Sequence, residues 1–151
     1  MGMKLTECIG RRVIASDSAE EIGEVKRFVF DQSGRSITQV QIGGRKRKAE
    51  LVDWADIGSF GADAVMVTSA DRVHHPIDDR QEAMVDGDIA YLGVKVLSSD
   101  GVQVGKVDAV HFDESSGTVL GAEISEGFGL VPTDRIHGLG SFALVVSAPS
   151  A

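Results

Sequence analysis

The residues that could do chemistry are few and scattered along the chain. Histidines occur at His74, His75, His111 and His137, and Cys8 is the single cysteine. Zinc sites need three or four ligands at close spacing, and the sequence has no HExxH or CxxC pattern. We therefore predict no metal site. We expect the adjacent histidines to be solvated and His111 to point outward from a strand.

The spacings typical of enzymes are also missing from the sequence. Asp78 and Asp79 are adjacent carboxylates, and Asp86 and Asp88 flank a glycine, but neither pair has the alternating spacing of a calcium loop. The sequence contains no Gly-x-Ser-x-Gly elbow, and no Gly-Lys-Ser/Thr phosphate loop follows its glycine pair. The sequence therefore predicts a protein that is not an enzyme and that binds no cofactor.

The sharpest local signal is a basic run, Arg45, Lys46, Arg47 and Lys48, between two predicted strands. Four adjacent cations repel one another, so a purely stabilising role would be unusual. They could bind RNA phosphates or an acidic protein surface. They could instead protect a strand edge, or contact the acidic second half of the chain. The sequence alone leaves these roles open.

Composition restricts the class of protein. The 151 residues carry a net charge of −8, and all of it lies in residues 71–151, which disfavours general binding to nucleic acid. The 18 glycines and the 5% of aromatic residues favour many short strands. No apolar run approaches the ~18 residues of a membrane helix. A single cysteine allows no intrachain disulfide. We expect a cytoplasmic protein with no membrane association.

An internal repeat organises the chain. Five blocks of the first half recur in the same order in the second half, with small gaps between them. Chance does not readily produce five ordered matches, so we treat each copy as one structural unit. The paired blocks are Ile9–Asp17 with Leu92–Asp100, Ile22–Val25 with Val104–Val107, Phe30–Gly34 with Phe112–Gly117, Leu51–Ile57 with Leu130–Ile136, and Ala64–Val67 with Ala143–Val146.

Each copy has the pattern of a small sheet. In the second copy, alternation at Val102 and Val104 resumes at Val110 and Phe112 after a phase break beside Gly105, which is typical of a β-bulge. The corresponding stretch of the first copy has a spacing that could also be one face of a helix. Because the two repeats should share a fold, we predict strands in both copies.

Turn signals separate these strands. The Asp-to-Gly blocks predict turns between strands, and the stretch 54–57 predicts a single helical turn. About five strands per copy would leave unpaired edges, which closure into a barrel removes. We therefore predict an all-β fold of two small β-barrels in tandem, each with about five strands and a short helical turn.

The predicted boundaries are 5–70 for the first barrel, 71–91 for an acidic linker with at most one short element, and 92–148 for the second barrel. A domain of ~60 residues is marginally stable alone. We therefore expect the barrels to pack on each other, with Phe28, Trp54 and Phe128 as candidate contact residues. Fragments 1–79 and 80–151 should each be less stable than the whole chain.

The repeated blocks resemble the PRC-barrel family. The resemblance lies in Gly-x-x-Val-(Ile/Leu)-(Ala/Ser)-Ser-Asp, then (Ile/Val)-Gly-x-Val, a hydrophobic-Asp turn and Leu-Val-x-x-x-x-Ile, and it covers roughly 120 residues. The family takes its name from the cytoplasmic domain of the photosynthetic reaction-centre H subunit, and a related barrel forms the C-terminal domain of RimM. The H subunit has a membrane helix before its barrel, RimM has a different N-terminal barrel, and this chain shows neither feature.

The resemblance implies a non-catalytic module that docks on proteins or on RNA–protein assemblies. We expect a protein-interaction adaptor whose partner is another protein. The alternative is an RNA- or ribosome-associated assembly factor that uses Arg45–Lys48. No binding residues of the family transfer to this chain, since the matching positions resemble turns and core. The sequence names neither the process nor the oligomeric state.

Overall fold

A computed structural model of the chain describes residues 2–147. The predicted end of the second repeat, at residue 148, lies outside the described residues. Strands dominate both halves, as the all-β prediction requires. Within residues 2–147, no helix is both long enough and apolar enough to cross a membrane.

The first repeat consists of short strands joined by tight turns. The alternative of a helix over residues 22–28 is wrong, because this stretch forms two strands. In chain order the first half contains β1 (Met3–Lys4), β2 (Arg12–Ala15), β3 (Glu20–Glu24), β4 (Arg27–Phe30), β5 (Ile37–Gly43), β6 (Glu50–Asp53), β7 (Ile57–Phe60) and β8 (Ala64–Val67).

The second repeat reproduces this order after one α-helix, α1 (Asp79–Asp86). Its strands are β9 (Lys95–Ser98), β10 (Gln103–Phe112), β11 (Val119–Ile124), β12 (Gly129–Pro132), β13 (Ile136–Leu139) and β14 (Leu144–Val146). The predicted helical turn at 54–57 is confirmed as one of several single-turn 3-10 helices. These are Leu5–Glu7, Lys46–Lys48, Trp54–Asp56, Ala70–Arg72 and Thr133–Arg135.

The sheets of the two repeats are alike but not identical. The second repeat has one path, β12-β11-β10-β9-β14-β13, whereas the first is divided into β3-β2-β8-β7 and β4-β5-β6. In each repeat the first and last strands pair in parallel, β2 with β8 and β9 with β14. Across the described residues these paths stay open, and each repeat has more strands than the predicted five.

The predicted β-bulge is present in the second repeat. The β10 ladder shifts register between Gln103 and Gly105, and Gly105 has φ +150°. A side chain on Gly105 would lie 2.8 Å from the Ser125 carbonyl oxygen. The first repeat has the equivalent glycine, Gly23, and a register shift beside it, but there the chain forms two strands, β3 and β4, whereas β10 continues through the bulge.

The two repeats pack closely, as predicted. β1 crosses to pair with β10 of the second repeat. The amide of Ile37 donates to the Gly117 carbonyl at 2.8 Å, and the amide of Val119 donates to the Arg35 carbonyl at 2.8 Å. Ile37 and Val119 occupy equivalent positions after the two turns, so this exchange has approximate two-fold symmetry.

Aromatic rings form the centre of the shared core. Phe112 of the second repeat lies 5.5 Å from Phe28, 6.2 Å from Trp54 and 5.7 Å from Phe60, measured between ring centroids. Two of the predicted contact residues, Phe28 and Trp54, therefore lie between the repeats. The third, Phe128, is half-buried against the same apolar cluster.

The segment 71–91, expected to be a linker, is packed against both repeats. Asp78 caps α1 by accepting from the Gln81 amide at 2.8 Å, and Met84 and Val85 are buried. Tyr91 is also buried, and its hydroxyl donates to the Gly34 carbonyl at 2.8 Å. The surface of this segment is charged, but its buried residues fix it against the rest of the protein. Its composition does not indicate this packing.

Candidate interaction surfaces

The basic loop, Arg45–Lys48, projects from the hairpin between β5 and β6. All four side chains are exposed. The loop turns tightly because Gly44 has φ +63° and its backbone closely approaches the Lys48 carbonyl. Ala49, directly after the loop, is fully buried and anchors the return strand. The fold thus presents the four cations together at the surface.

Acidic residues of α1 face this loop. Arg47 Nε lies 3.5 Å from Glu82 Oε1, and Glu82 and Asp86 line the same groove as the four cations. The Arg47 side chain is 91% exposed, so the ion pair stabilises the fold by at most ~1 kcal/mol. Of the roles that the sequence left open, a contact with acidic residues of the same chain is present, and it is made with the segment between the repeats.

A second surface feature is an apolar cleft between the first repeat and the inter-repeat segment that carries α1, with Leu92 of the second repeat at its edge. We call it the inter-repeat cleft. It has a volume of about 140 Å³. Ile9 and Leu92, at equivalent positions of the two repeats, stand on its rim with 50% and 37% exposure. Its lining residues are Leu5, Ile9, Lys26, Arg27, Phe28, Phe30, Met84, Ile89, Ala90, Tyr91 and Leu92.

The cleft also carries positive charge at its edge. Lys26 and Arg27 are exposed residues that line it, and the Arg27 guanidinium points back to the Met84 carbonyl at 3.5 Å. Sequence reasoning missed this site. A signal was present, since Ile9 and Leu92 are apolar residues that precede the repeated glycines, but such residues are usually core.

One of the two adjacent histidines departs from the sequence prediction, whereas the other, His75, is exposed as expected. His74 is half-buried: its Nε2 lies 2.8 Å from Asp53 Oδ1 and its Nδ1 lies 2.8 Å from the His75 carbonyl. Both partners are acceptors, so this geometry suits the doubly protonated ring. His111 is also half-buried and is bonded to Glu123. The prediction that His74 is solvated is wrong, because a β-bridge to Leu51 holds it against β6.

These bonds shift the pKa values of their partners. Burial tends to lower the pKa of His74, but the bonds to His75 and Asp53 outweigh it and raise this pKa. Burial tends to raise the pKa of Asp53, but the bonds to His74 and Gln39 outweigh it and lower this pKa. Both shifts favour the charged forms, so protonated His74 forms an ion pair with Asp53 that joins the inter-repeat segment to β6.

Cys8 is held in an unreactive form. It is buried, and burial raises the pKa of its thiol to about 11. Its Sγ lies 2.9 Å from Met3 Sδ. A nucleophilic cysteine needs a lowered pKa, so this thiol belongs to the core. Among residues 2–147, no three His, Cys, Asp or Glu side chains are grouped closely enough to hold a metal ion.

The family follows from these repeats and their shared topology. The PRC-barrel domain model matches residues 1–73 and 90–146, one match for each repeat. The chain belongs to the PRC-barrel family. Comparison with curated proteins produced no match. The PRC-barrel assignment covers the sheets, whereas much of the inter-repeat segment, including α1, lies between the two matched stretches.

Proposed function

We propose that this PRC-barrel protein is a non-catalytic interaction module that binds a partner protein in the inter-repeat cleft. The observation that carries the proposal is the exposure of Ile9 and Leu92, two large apolar residues at equivalent positions, on the rim of one apolar cleft. Leaving such side chains in water costs free energy, and apolar clefts are typical binding sites.

The charge at the cleft indicates the partner's chemistry. Lys26 and Arg27 are exposed cations on a chain whose net charge is −8. A partner segment that inserts an apolar side chain beside Phe28 and Met84 would gain from an adjacent carboxylate near these cations. We therefore propose an apolar segment flanked by acidic residues as the ligand, and the cytoplasm as the compartment.

A substitution in the cleft tests this proposal. Wild-type protein, Ile9→Glu and the matched control Val102→Glu are used to capture partners from extract of the native cell. Val102 is 57% exposed and does not line the cleft. We expect the wild type and the control to capture the same protein, and Ile9→Glu to lose it.

The captured protein is then purified and titrated directly. We expect Ile9→Glu to raise its Kd at least tenfold, which corresponds to about 1.4 kcal/mol, and Val102→Glu to leave it unchanged. Equal affinity of the two variants would overturn the cleft as the docking site. Catalytic turnover abolished by one substitution would overturn the non-catalytic role.

The exposed basic loop favours a second candidate, an RNA- or ribosome-associated assembly factor. The four cations Arg45–Lys48 could contact phosphates, although Glu82 and Asp86 partly offset their charge. Replacing all four by alanine should flatten the plot of log affinity for single-stranded RNA against log salt by up to about 2.8 units. RNA binding with an unchanged slope would exclude the loop as the RNA site.

A further inference from the structure

The edge strand of the second repeat, β12, is uncovered, whereas its counterpart in the first repeat, β6, is covered. Leu51 of β6 and Leu130 of β12 occupy equivalent positions of the repeat. Leu51 is fully buried, but Leu130 is 60% exposed. The same apolar residue of the same motif therefore has opposite environments in the two repeats. Among the described residues, β12 pairs with β11 alone and nothing pairs with its outer edge.

The inter-repeat segment covers β6 by adding a short extended strand to it. The amide of Leu51 donates to the His74 carbonyl at 2.8 Å, and the amide of His74 donates to the Leu51 carbonyl at 2.9 Å. This reciprocal pair is an antiparallel β-bridge. The His74 ring continues to Asp53, and Val73 packs against the shared core. The first repeat therefore contains, within its own chain, an example of a peptide bound to this edge.

The matching backbone groups of β12 are free to pair. In an edge strand, alternate residues direct their amide and carbonyl away from the sheet. Pro132 has no N–H, so its pair with Gly121 cannot be the doubly hydrogen-bonded kind, and Leu130, two residues away, has the same orientation. This agrees with the outward direction of the same groups in Leu51. Unpaired edge groups of this kind are a template for a further strand.

The surroundings of Leu130 select an occupant different from that of the first repeat. Pro132 stands where β6 has Asp53, and Gly121 stands where β5 has Gln39. The carboxylate that binds the histidine ring, and the amide that orients this carboxylate, are therefore absent from the second repeat. A polar side chain without a partner is costly to bury. An apolar side chain thus suits this surface better than a histidine does.

Acidic residues flank β12 on both sides. Glu126 precedes the strand and Asp134 follows it, and both are exposed. The net charge of −8 also lies entirely in residues 71–151. A second copy of the chain carries the same charge and is repelled, whereas a partner with basic residues is attracted. The charge therefore favours a different protein over a second copy at this edge.

We propose that β12 binds an extended apolar segment of a partner protein that has basic residues at both of its ends. The segment lies antiparallel to β12 and exchanges two backbone hydrogen bonds with Leu130, which is the β-augmentation mode of recognition. Its central side chain packs on Leu130 and Pro132, and its terminal cations lie near Glu126 and Asp134. Pro132 keeps the pairing short, because it has no amide to donate. This edge is separate from the inter-repeat cleft, and it prefers the opposite charge.

The test uses the peptide acetyl-Lys-Lys-Val-Leu-Val-Lys-Lys-amide as the probe and the ¹⁵N-labelled full chain. One control peptide has N-methylleucine at its centre, which removes the amide that donates to the Leu130 carbonyl. The other control has glutamate in place of every lysine. We expect saturable binding of the probe, at least tenfold weaker binding of each control, and at least tenfold slower solvent exchange of the Leu130 amide in the complex. The Leu51 amide, which is already bonded to His74, is the internal reference for a protected amide.

The substitution Leu130→Lys removes the apolar contact and repels the basic peptide. The matched control is Val102→Lys, because Val102 is 57% exposed and lies outside β12. We expect a loss of at least tenfold in peptide affinity for Leu130→Lys and none for Val102→Lys. Thermal melting shows whether Leu130→Lys keeps its fold. If it does not, the comparison of the probe with its N-methylated form on the wild-type protein decides.

Three results with the peptide would overturn the proposal: equal affinity of the N-methylated form, equal affinity of folded Leu130→Lys and the wild type, or no saturation up to about 5 mM probe. A fourth is protection of the Leu130 amide that grows with protein concentration when no peptide is present, since this would place a second copy at the edge.

The two docking proposals can fail separately. The probe requires no captured partner, and we expect Ile9→Glu to bind it as the wild type does. Failure of the peptide to bind therefore leaves the proposed function standing. Loss of the proposed docking at the inter-repeat cleft likewise leaves the β12 edge standing.

Discussion

Arg80 joins the two repeats and is the residue whose removal we expect to matter most for stability. It lies on α1, and its Nε donates to the Phe30 carbonyl at 3.0 Å. Its Nη2 donates to the Asp31 carbonyl at 2.7 Å and to the Leu139 carbonyl at 2.9 Å. One guanidinium therefore connects the first repeat, the inter-repeat segment and the second repeat.

The change to make is Arg80→Met, which keeps the apolar stem and removes the donors. A hydrogen bond from a charged donor contributes about 1.5–3 kcal/mol net. One half-buried side chain makes all three hydrogen bonds, and water can partly replace these bonds in the variant. The loss of stability should therefore fall well below the sum of three separate contributions. We expect the free energy of unfolding to fall by about 2–3 kcal/mol.

Urea denaturation, followed by circular dichroism and by Trp54 fluorescence, measures this loss. With a urea m-value of about 2 kcal/mol/M, the midpoint should fall by about 1–1.5 M, and the melting temperature by about 5–10 °C. Arg80→Lys keeps the charge but not the planar arrangement of donors. Its urea midpoint should therefore lie between those of the wild type and Arg80→Met.

Arg12→Met is the matched control. Arg12 is 74% exposed, and its only charged partner among the described residues is Glu21, at 3.6 Å. Its loss should change the free energy of unfolding by less than about 0.5 kcal/mol. Equal urea midpoints for the Arg80 and Arg12 variants would refute the reasoning, since a guanidinium that connects the repeats cannot be as dispensable as an exposed one.

Three further predictions concern stability. His74→Gln should lower the free energy of unfolding, measured by urea denaturation, more at pH 6 than at pH 9. Because the pKa of His74 is raised in the folded state, its pair with Asp53 stabilises the fold fully below about pH 6.5. This contribution is lost as the pH rises through the pKa of the folded state. An equal cost at both pH values would contradict this. Gly117→Ala should lower the melting temperature more than Gly101→Ala, since both have positive φ but only at Gly117 does a Cβ meet the Trp54 ring, at 2.8 Å; equal losses would show that backbone strain alone matters. Fragments cut inside α1 should each melt below the intact chain, since each loses the shared aromatic core; fragments as stable as the whole would show independent barrels.

Much of the architecture could be predicted because its signals are local. Alternation of apolar residues, the phase break at Gly105 and the Asp-to-Gly turns are each encoded within a few neighbouring residues. The repeat strengthened these local signals, because an ambiguous stretch of one copy could be read from the other. The exposure of Arg45–Lys48 also follows from sequence, since four adjacent cations cannot be buried without partners.

The candidate sites were decided by tertiary structure. By composition Arg80 is an ordinary surface charge, and by type Ile9 and Leu92 are ordinary core residues. Their environments come from segments about 50 or more residues away in the chain, such as the Arg80 bonds to Phe30 and Leu139. The local pattern of apolar and polar residues does not indicate which turn packs against which aromatic ring. The sequence alone therefore determined two similar β-rich units. Only the folded chain decided the cleft and the role of Arg80 in joining the repeats, because both depend on how separate surfaces pack.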